Sequence, residues 1–374
     1  MNWAYRQPVT IFFGKGKSRE IGRIARDQRY GRGLLVADPF FEKSGLARTI
    51  VDSSEGTLVG LFTRVSPNPE AEEVDACAER LRCQKLGFVV ALGGGSALDC
   101  AKAAAGIALS GQSIRQYLGT GMPLPKEHLP VIAVPTTAGT GSEVTCVAVI
   151  SDQAQGLKAP IVSETFYPAC AVVDPGLTYT VPPAVTAGTG IDVLCHALEG
   201  FWSRGHQPVC DALALHAAKL VFRFLPQAWA CPSDEQAREK MCEASLLAGL
   251  AFTLPKTTAP HACSFPLTNR FHVPHGEACG LTLDWFTRLN AAGEDGQRLN
   301  DFAAALGYRD ARDMADGIQA LKRQLCLRTT LKDLHLEKEE IRQLVADSHH
   351  PNLLNNPVQV TDEMLWEMYS QLAL

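Results

Sequence analysis

The stretch GFVVALGGGSALDCAKAAAGIAL, residues 87–109, decides how the first half of the chain folds. Phe88 to Leu92 form a short apolar, β-rich run, three glycines break it, and a helical segment follows. Strand, turn and helix in that order are the unit of a parallel α/β sheet. GLLVADPF (33–40), LPVIAVPTT (129–137) and CAVVDPG (170–176) are runs of the same kind. All are apolar, as parallel strands buried on both faces are, and each ends in Gly, Pro, Asp or Thr, where the chain turns. EVDACAERLRCQ (73–84) supplies a second helical candidate. A doubly wound, Rossmann-like α/β domain is therefore predicted over residues 1–180.

After Val181-Pro182-Pro183 strand signals fade. IDVLCHALEGFWS, DALALHAAKLVFRFLPQA, EQAREKMCEASLLAGLAF, ARDMADGIQALKRQL and TDEMLWEMYSQLAL all read as helices, so an all-α domain is predicted over 181–374. A chain of 374 residues is long for one core, and two domains are the default. A hydrophobic fraction of 46% with 20% charged residues describes a globular protein. The net charge of −5 and the lack of a basic stripe argue against a nucleic-acid partner. The start MNWAYRQPVTIFFGKG has no signal-peptide pattern, and no apolar run reaches the roughly 18 residues of a membrane span. Twelve scattered cysteines without a CxxC pair read as buried, reduced thiols, which places the protein in the cytoplasm. Cys195 and Cys263, which stand beside metal-ligand candidates, read as packing residues.

Four features carry chemistry. Gly93, Gly94 and Gly95 let backbone N–H groups approach a phosphate at a helix N-terminus, with Ser96 as a cap or a further donor. That turn makes the first domain a candidate dinucleotide-binding domain. PTTAGTGSEVT (135–145) brings Thr136, Thr137, Thr140 and Ser142 onto a glycine-bearing loop after another strand, where hydroxyls suit a phosphate or ribose. Asp38 ends the strand GLLVAD, where an acid can accept bonds from an adenosine ribose and repel a 2′-phosphate. In the second half, Asp192 and His196 are four apart and share a helix face, while His261 and His275 bracket HACSFPLTNRFHVPH. One carboxylate and three imidazoles make a ligand set for a divalent cation, so the helical domain is a candidate metal-binding domain.

Together these motifs resemble the iron-containing, group III alcohol dehydrogenase family, from FGKGK (13–17) to NNPVQVT (355–361). The pattern GxDxxxHAxE is met by Gly190, Asp192, His196, Ala197 and Glu199, followed by His261 and Pro274-His275-Gly276. The resemblance implies that Asp192, His196, His261 and His275 bind iron, the family's usual metal, although zinc or manganese would also suit the set. It implies a cofactor site that includes Asp99, spaced from the glycines together with Lys102 as in the family. It adds Asn68 in VSPNPE and Lys158, and through Asp38 it favours NAD(H) over NADP(H). A homodimer is the expected assembly, and the partners are a small aldehyde and its alcohol.

The sequence departs from the family at one place. A histidine usually stands four residues after the third ligand and is thought to help relay a proton; here it is Phe265. His272 is a candidate substitute, and a water chain or a ribose hydroxyl would also serve. Lys256, Thr257, Thr258 and Arg270 lie close in sequence to His261, and positive charge with hydroxyls suits an anionic substrate. With Phe265 they make the expected substrate contacts. The MNW start, the KTTAPHA run and SFPLT resemble the phosphonoacetaldehyde reductase branch. The implied activity is reversible, metal-dependent reduction of a small, anionic aldehyde by NAD(P)H. The alternatives are a general dehydrogenase of propanol, lactaldehyde or semialdehyde type, a related lyase or synthase using NAD and metal, and a non-catalytic metal- and nucleotide-binding protein.

Overall fold

The computed structural model describes residues 2–374. They divide into two compact units, one of Arg6–Thr137 and Gly141–Thr178, the other of Met1–Tyr5, Ala138–Thr140 and Tyr179–Leu374.

The first unit is built on six parallel strands: β1 (Thr10–Phe13), β2 (Gly33–Ala37), β3 (Leu58–Phe62), β4 (Phe88–Gly93), β5 (Val131–Pro135) and, after a hairpin, β8 (Cys170–Val173). Their spatial order is β1-β8-β5-β4-β2-β3. Helices α1 (Ile21–Asp27), α2 (Pro39–Lys43), α3 (Leu46–Ser53), α4 (Ala71–Cys83) and α5 (Gly95–Ile107) connect them. The period of two explains the burial. Leu34, Val36, Val89, Ala91, Val131 and Ala133 enter one core, and Leu35, Ala37, Val90, Leu92, Ile132 and Val134 enter another. Both faces are covered, which is why these strands read as unbroken apolar runs.

The strand order also locates a binding crevice. From β2 the chain goes outward to β3 and then returns to the other side of β2 to form β4, so the winding reverses between β2 and β4. Open α/β sheets bind ligands at the carboxyl ends of strands at such a reversal. The ends in question are Ala37–Asp38 and Gly93–Gly95, because Ala37 pairs with Leu92.

An antiparallel hairpin, β6 (Val147–Asp152) and β7 (Leu157–Val162), lies outside this sheet. Sequence reading misses it, along with β1 and β3. Its tie to the loop before α4 is a bond from Ser151 N–H to the Pro69 carbonyl, 2.9 Å.

The second unit holds α6 (Pro183–Trp202), α7 (Pro208–Ala230), α8 (Glu235–Phe252), α9 (Ala259–Phe271), α10 (His275–Ala291), α11 (Gly296–Ala305), α12 (Ala311–Gln324), α13 (Lys338–Asp347) and α14 (Asp362–Ala373). Helix α6 is apolar around most of its circumference and buried along most of its length, packed on α7, α8 and α10. Among the described residues no helix is long and apolar enough to cross a membrane.

Helices α6 and α10 meet through glycine. A Cβ at Gly276 would lie 2.0 Å from the Gly188 carbonyl oxygen and 3.0 Å from Asp192 Cβ, and one at Gly280 would lie 2.7 Å from Ile191. This approach sets the first residue of α10, His275, against the middle of α6. Gly276→Ala is expected to force the helices apart, lowering stability by about 1–3 kcal/mol, the usual cost of overpacking. Denaturant unfolding checks it; an unchanged midpoint would mean that the helices can part freely.

Candidate metal centre and cofactor site

Asp192, His196 and Glu199 lie at i, i+4 and i+7 of α6, on one face. All three are buried, Glu199 completely. Helix α9 brings His261 to them in its first turn. The Glu199 carboxylate fixes that meeting. It accepts the N–H of Thr258, the N-cap of α9, at 2.6 Å, the Thr258 hydroxyl at 3.2 Å and the His261 N–H at 3.4 Å. An acid at a helix N-terminus is favourably placed, and this one is supplied by a neighbouring helix. The same carboxylate takes His261 Nδ1 at 2.5 Å. Nδ1 then carries the ring proton, and the Nε2 lone pair points the other way.

What Nε2 faces is informative. His196 Nε2 is 3.1 Å away, Asp192 Oδ1 is 3.6 Å from His261 Nε2 and 3.9 Å from His196 Nε2. Asp192 Oδ1 is buried without a hydrogen-bond partner. A buried, unpartnered carboxylate oxygen beside two ring nitrogens is costly unless a cation sits among them. A tetrahedral cation with bonds of about 2.0–2.1 Å spaces its ligands roughly 3.4 Å apart, close to the observed separations. The donor set therefore fits a divalent metal.

The electrostatics agree. Burial pushes the Asp192 carboxyl up to about 7, with Glu199 adding to it and His261 opposing it. Burial drives His196 well below its ordinary value, helped by His261 and His275, so its ring is neutral and able to ligate. Burial also pulls His261 down, but Glu199 and Asp192 outweigh it and leave it raised. A cation would stabilise both acids.

His275, at the start of α10, is exposed, its ring edge-on to that of His261 with centroids 5.4 Å apart. The ligand atoms of Asp192, His261, His275 and Cys279 all lie within 4.8 Å of one another. Cys279, one turn after His275, is 3.8 Å from His275 Nε2 and fully buried, and sequence reading missed it. Burial holds its thiol well above its usual range, so it packs as a neutral group. Cys195 and Cys263 are likewise buried, and all twelve cysteines are free thiols.

In the sheet unit the expected cofactor residues converge in part. Gly94 is the N-cap of α5 with no side chain capping the helix, which leaves first-turn N–H groups for an anion. A Cβ at Gly94 would meet the Thr137 hydroxyl at 3.5 Å, and Thr136 N–H bonds the Gly93 carbonyl at 3.0 Å, so the two loops lie side by side. Asn68 donates its N–H to Ser96 Oγ at 3.2 Å and accepts Lys158 Nζ at 3.0 Å, which joins three expected residues. Gly95 opens α5. Asp38 caps α2 by accepting the Phe40 N–H at 2.6 Å. These groups suit a pyrophosphate and a ribose. Asp99 and Ser142 serve the loop itself: Ser142 donates to Asp99 at 2.8 Å, and buried Lys102 bonds Ser142 Oγ at 2.6 Å. Thr140 belongs to the helical unit.

The expected substrate residues need correction. Thr258 is fully buried, its hydroxyl held by Glu199 and by Trp202 Nε1 at 2.8 Å, so it positions His261 and is closed to a substrate. Thr257 is buried too, and its hydroxyl accepts Asn352 Nδ2 at 2.7 Å. Arg270 pairs with Asp347 at 2.9 Å. His272 is an exposed left-handed residue that ends α9, with no bond to a ligand residue among the described residues. Lys256 is exposed and has no ion-pair partner among the described residues. Phe265 stacks along His275, centroids 6.4 Å apart.

With this geometry in hand, the comparisons are decisive for class. Residues 8–175 match the iron-containing alcohol dehydrogenase family and residues 186–373 match the C-terminal part of the Fe-containing alcohol dehydrogenase family. The chain belongs to the iron-containing alcohol dehydrogenase family. It is 34% identical over 364 residues to alcohol dehydrogenase 4 of Saccharomyces cerevisiae, covering 96% of this chain and 95% of that one. It is 31% identical over 342 residues to a sulfoacetaldehyde reductase of Bilophila wadsworthia, covering 88% of each. It superposes with a TM-score of 0.98 on the crystal structure of sulfoacetaldehyde reductase from Bifidobacterium kashiwanohense in complex with NAD+, at 58% identity over 100% of this chain and 99% of that one.

His261→Ala is expected to remove bound metal and leave NAD binding largely intact. Glu199→Gln keeps the four candidate ligands and disturbs only the orientation of His261, so it is expected to weaken metal affinity about 10–100-fold. Metal analysis after dialysis against graded chelator checks both; full occupancy in the His261 variant would sink the assignment.

Proposed function

We propose that the protein is a reversible, metal-dependent, NAD(H)-linked reductase of a small aldehyde bearing an acidic group, a sulfonate or phosphonate on a two-carbon chain. The observation that carries the catalytic part is the unpartnered Asp192 oxygen facing two imidazole nitrogens 3.1 Å apart. The acidic substrate is supported by the likeness to two sulfoacetaldehyde reductases and by exposed Lys256 before α9, which has no ion-pair partner among the described residues. The same likeness puts sulfoacetaldehyde ahead of phosphonoacetaldehyde.

Asp192, His196, His261 and His275 would hold the cation. When bound, it supplies Lewis-acid polarisation of a carbonyl oxygen, and the nicotinamide supplies the hydride. The chain supplies placement. Glu199 fixes the tautomer and direction of His261. The Phe252 ring stacks on His196 at 4.2 Å and 11°, holding that imidazole from the side. The Gly276 contact holds His275. Reduction adds a hydride to carbon and a proton to oxygen; Phe265 has no proton to give, so the proton comes from solvent, with exposed His272 as a shuttle. In the sheet unit, the α5 N-terminus binds the pyrophosphate and Asp38 the adenosine ribose.

NADH oxidation by iron-loaded protein should be at least tenfold more efficient, in kcat/KM, with sulfoacetaldehyde or phosphonoacetaldehyde than with propanal. A charge-assisted bond to the acid group is worth about 1.5–3 kcal/mol, which sets that ratio. Equal efficiency with propanal would return the protein to the general alcohol dehydrogenase reading. NADH is expected to be preferred to NADPH, and Asp38→Gly to narrow the preference, since Gly still serves as an N-cap at a cost of a few tenths of a kcal/mol. A wild type that prefers NADPH would remove the role given to Asp38.

A further inference from the structure

His350 lies far along the chain from every motif, yet its ring packs on Phe265, centroids 4.7 Å apart at 54°. Phe265 in turn lies along His275. The three rings make a row that leads away from the metal ligands. His350 stands near enough to His261 for the two imidazoles to oppose each other's protonation, although burial is the larger force holding His350 below its ordinary value.

The direction of its ring is set locally. His350 precedes a short 3₁₀ turn, Pro351–Asn355, and its Nδ1 accepts the Asn352 N–H at 3.2 Å. The proton of the neutral ring therefore sits on Nε2 and is offered away from the turn. The turn is fastened to the segment before α9. Asn352 Nδ2 donates to Thr257 Oγ1 at 2.7 Å and Asn355 Nδ2 to the Thr257 carbonyl at 3.0 Å. Lys256, exposed and without an ion-pair partner among the described residues, precedes Thr257. Arg204 bonds the Asn356 carbonyl at 2.9 Å, and the Asn290 and Asn356 amides bond each other at 2.8 and 3.2 Å. The loop that carries His350 is thus a fixed strap.

We propose that His350 is a substrate-binding residue: the Nε2–H of its ring, tilted against Phe265 and assisted by Lys256, holds the acidic end of the aldehyde while the carbonyl end lies at the candidate metal ligands. This rests on the reading of the substrate as an anionic aldehyde. It gives Phe265 a purpose, since an aromatic wall offers a surface for the short carbon chain and for the ring that grips the far end. A neutral donor also binds a sulfonate without the cost of burying a second cation beside the metal.

The test is steady-state kinetics of iron-loaded wild type, His350→Leu and His350→Gln with sulfoacetaldehyde and propanal. Metal content and melting temperature are measured on each, so that an unfolded variant is recognised. Gln carries an N–H donor near the place of imidazole Nε2. His350→Leu should lose tenfold or more in kcat/KM for sulfoacetaldehyde, mainly through KM, and no more than two- to threefold for propanal; His350→Gln should recover most of the loss. Equal losses on both aldehydes, or a preference unchanged in His350→Leu, would overturn the assignment and leave the substrate reading standing. A wild type indifferent to the acid group would overturn both.

Discussion

One buried carboxylate, Glu199, holds the helical unit's chemistry in place. It sits on α6 with no solvent contact and is satisfied entirely by α9: two backbone N–H groups, one hydroxyl and one imidazole. A buried acid costs free energy unless it is bonded on this scale. The bonds that meet its need also start α9, turn His261 and lock Thr258. The orientation of a candidate metal ligand, His261, and the packing of α6 on α9 thus share the same carboxylate. Nearer the start of α6, the glycine contact with α10 does the same for His275 by shape alone.

Much of this was legible in the sequence, for physical reasons. Buried parallel strands have an unmistakable composition, so β2, β4, β5 and β8 stand out, and the shared helix face of Asp192 and His196 follows from helical period. The edge strands β1 and β3 and the hairpin β6–β7 were not found: TIFF, LVGLF, VAVISD and LKAPIV are short, and a short apolar run alone does not separate strand from helix. Glu199 was visible only as a motif residue; its place among the candidate ligands and its role depended on what α9 brought to it.

The substrate residues show the opposite case. Lys256, Thr257, Thr258 and Arg270 were grouped because they flank His261 in sequence. Chain proximity does not orient side chains: Thr258 turned inward to Glu199, Thr257 to Asn352, and Arg270 reached Asp347. The residue that does pack on Phe265, His350, comes from the far end of the chain. No period or spacing links the two, and only the packed structure brings them together.

The anchoring by Glu199 has a consequence for what a cation would add to this unit. Small zinc domains fold around their ion, because nothing else gathers the ligands. Here the candidate ligands come from three helices, α6, α9 and α10, and contacts that involve no ion join those helices: a carboxylate, a glycine approach and an apolar core. Loss of the cation would therefore cost the unit its chemistry and leave its packing.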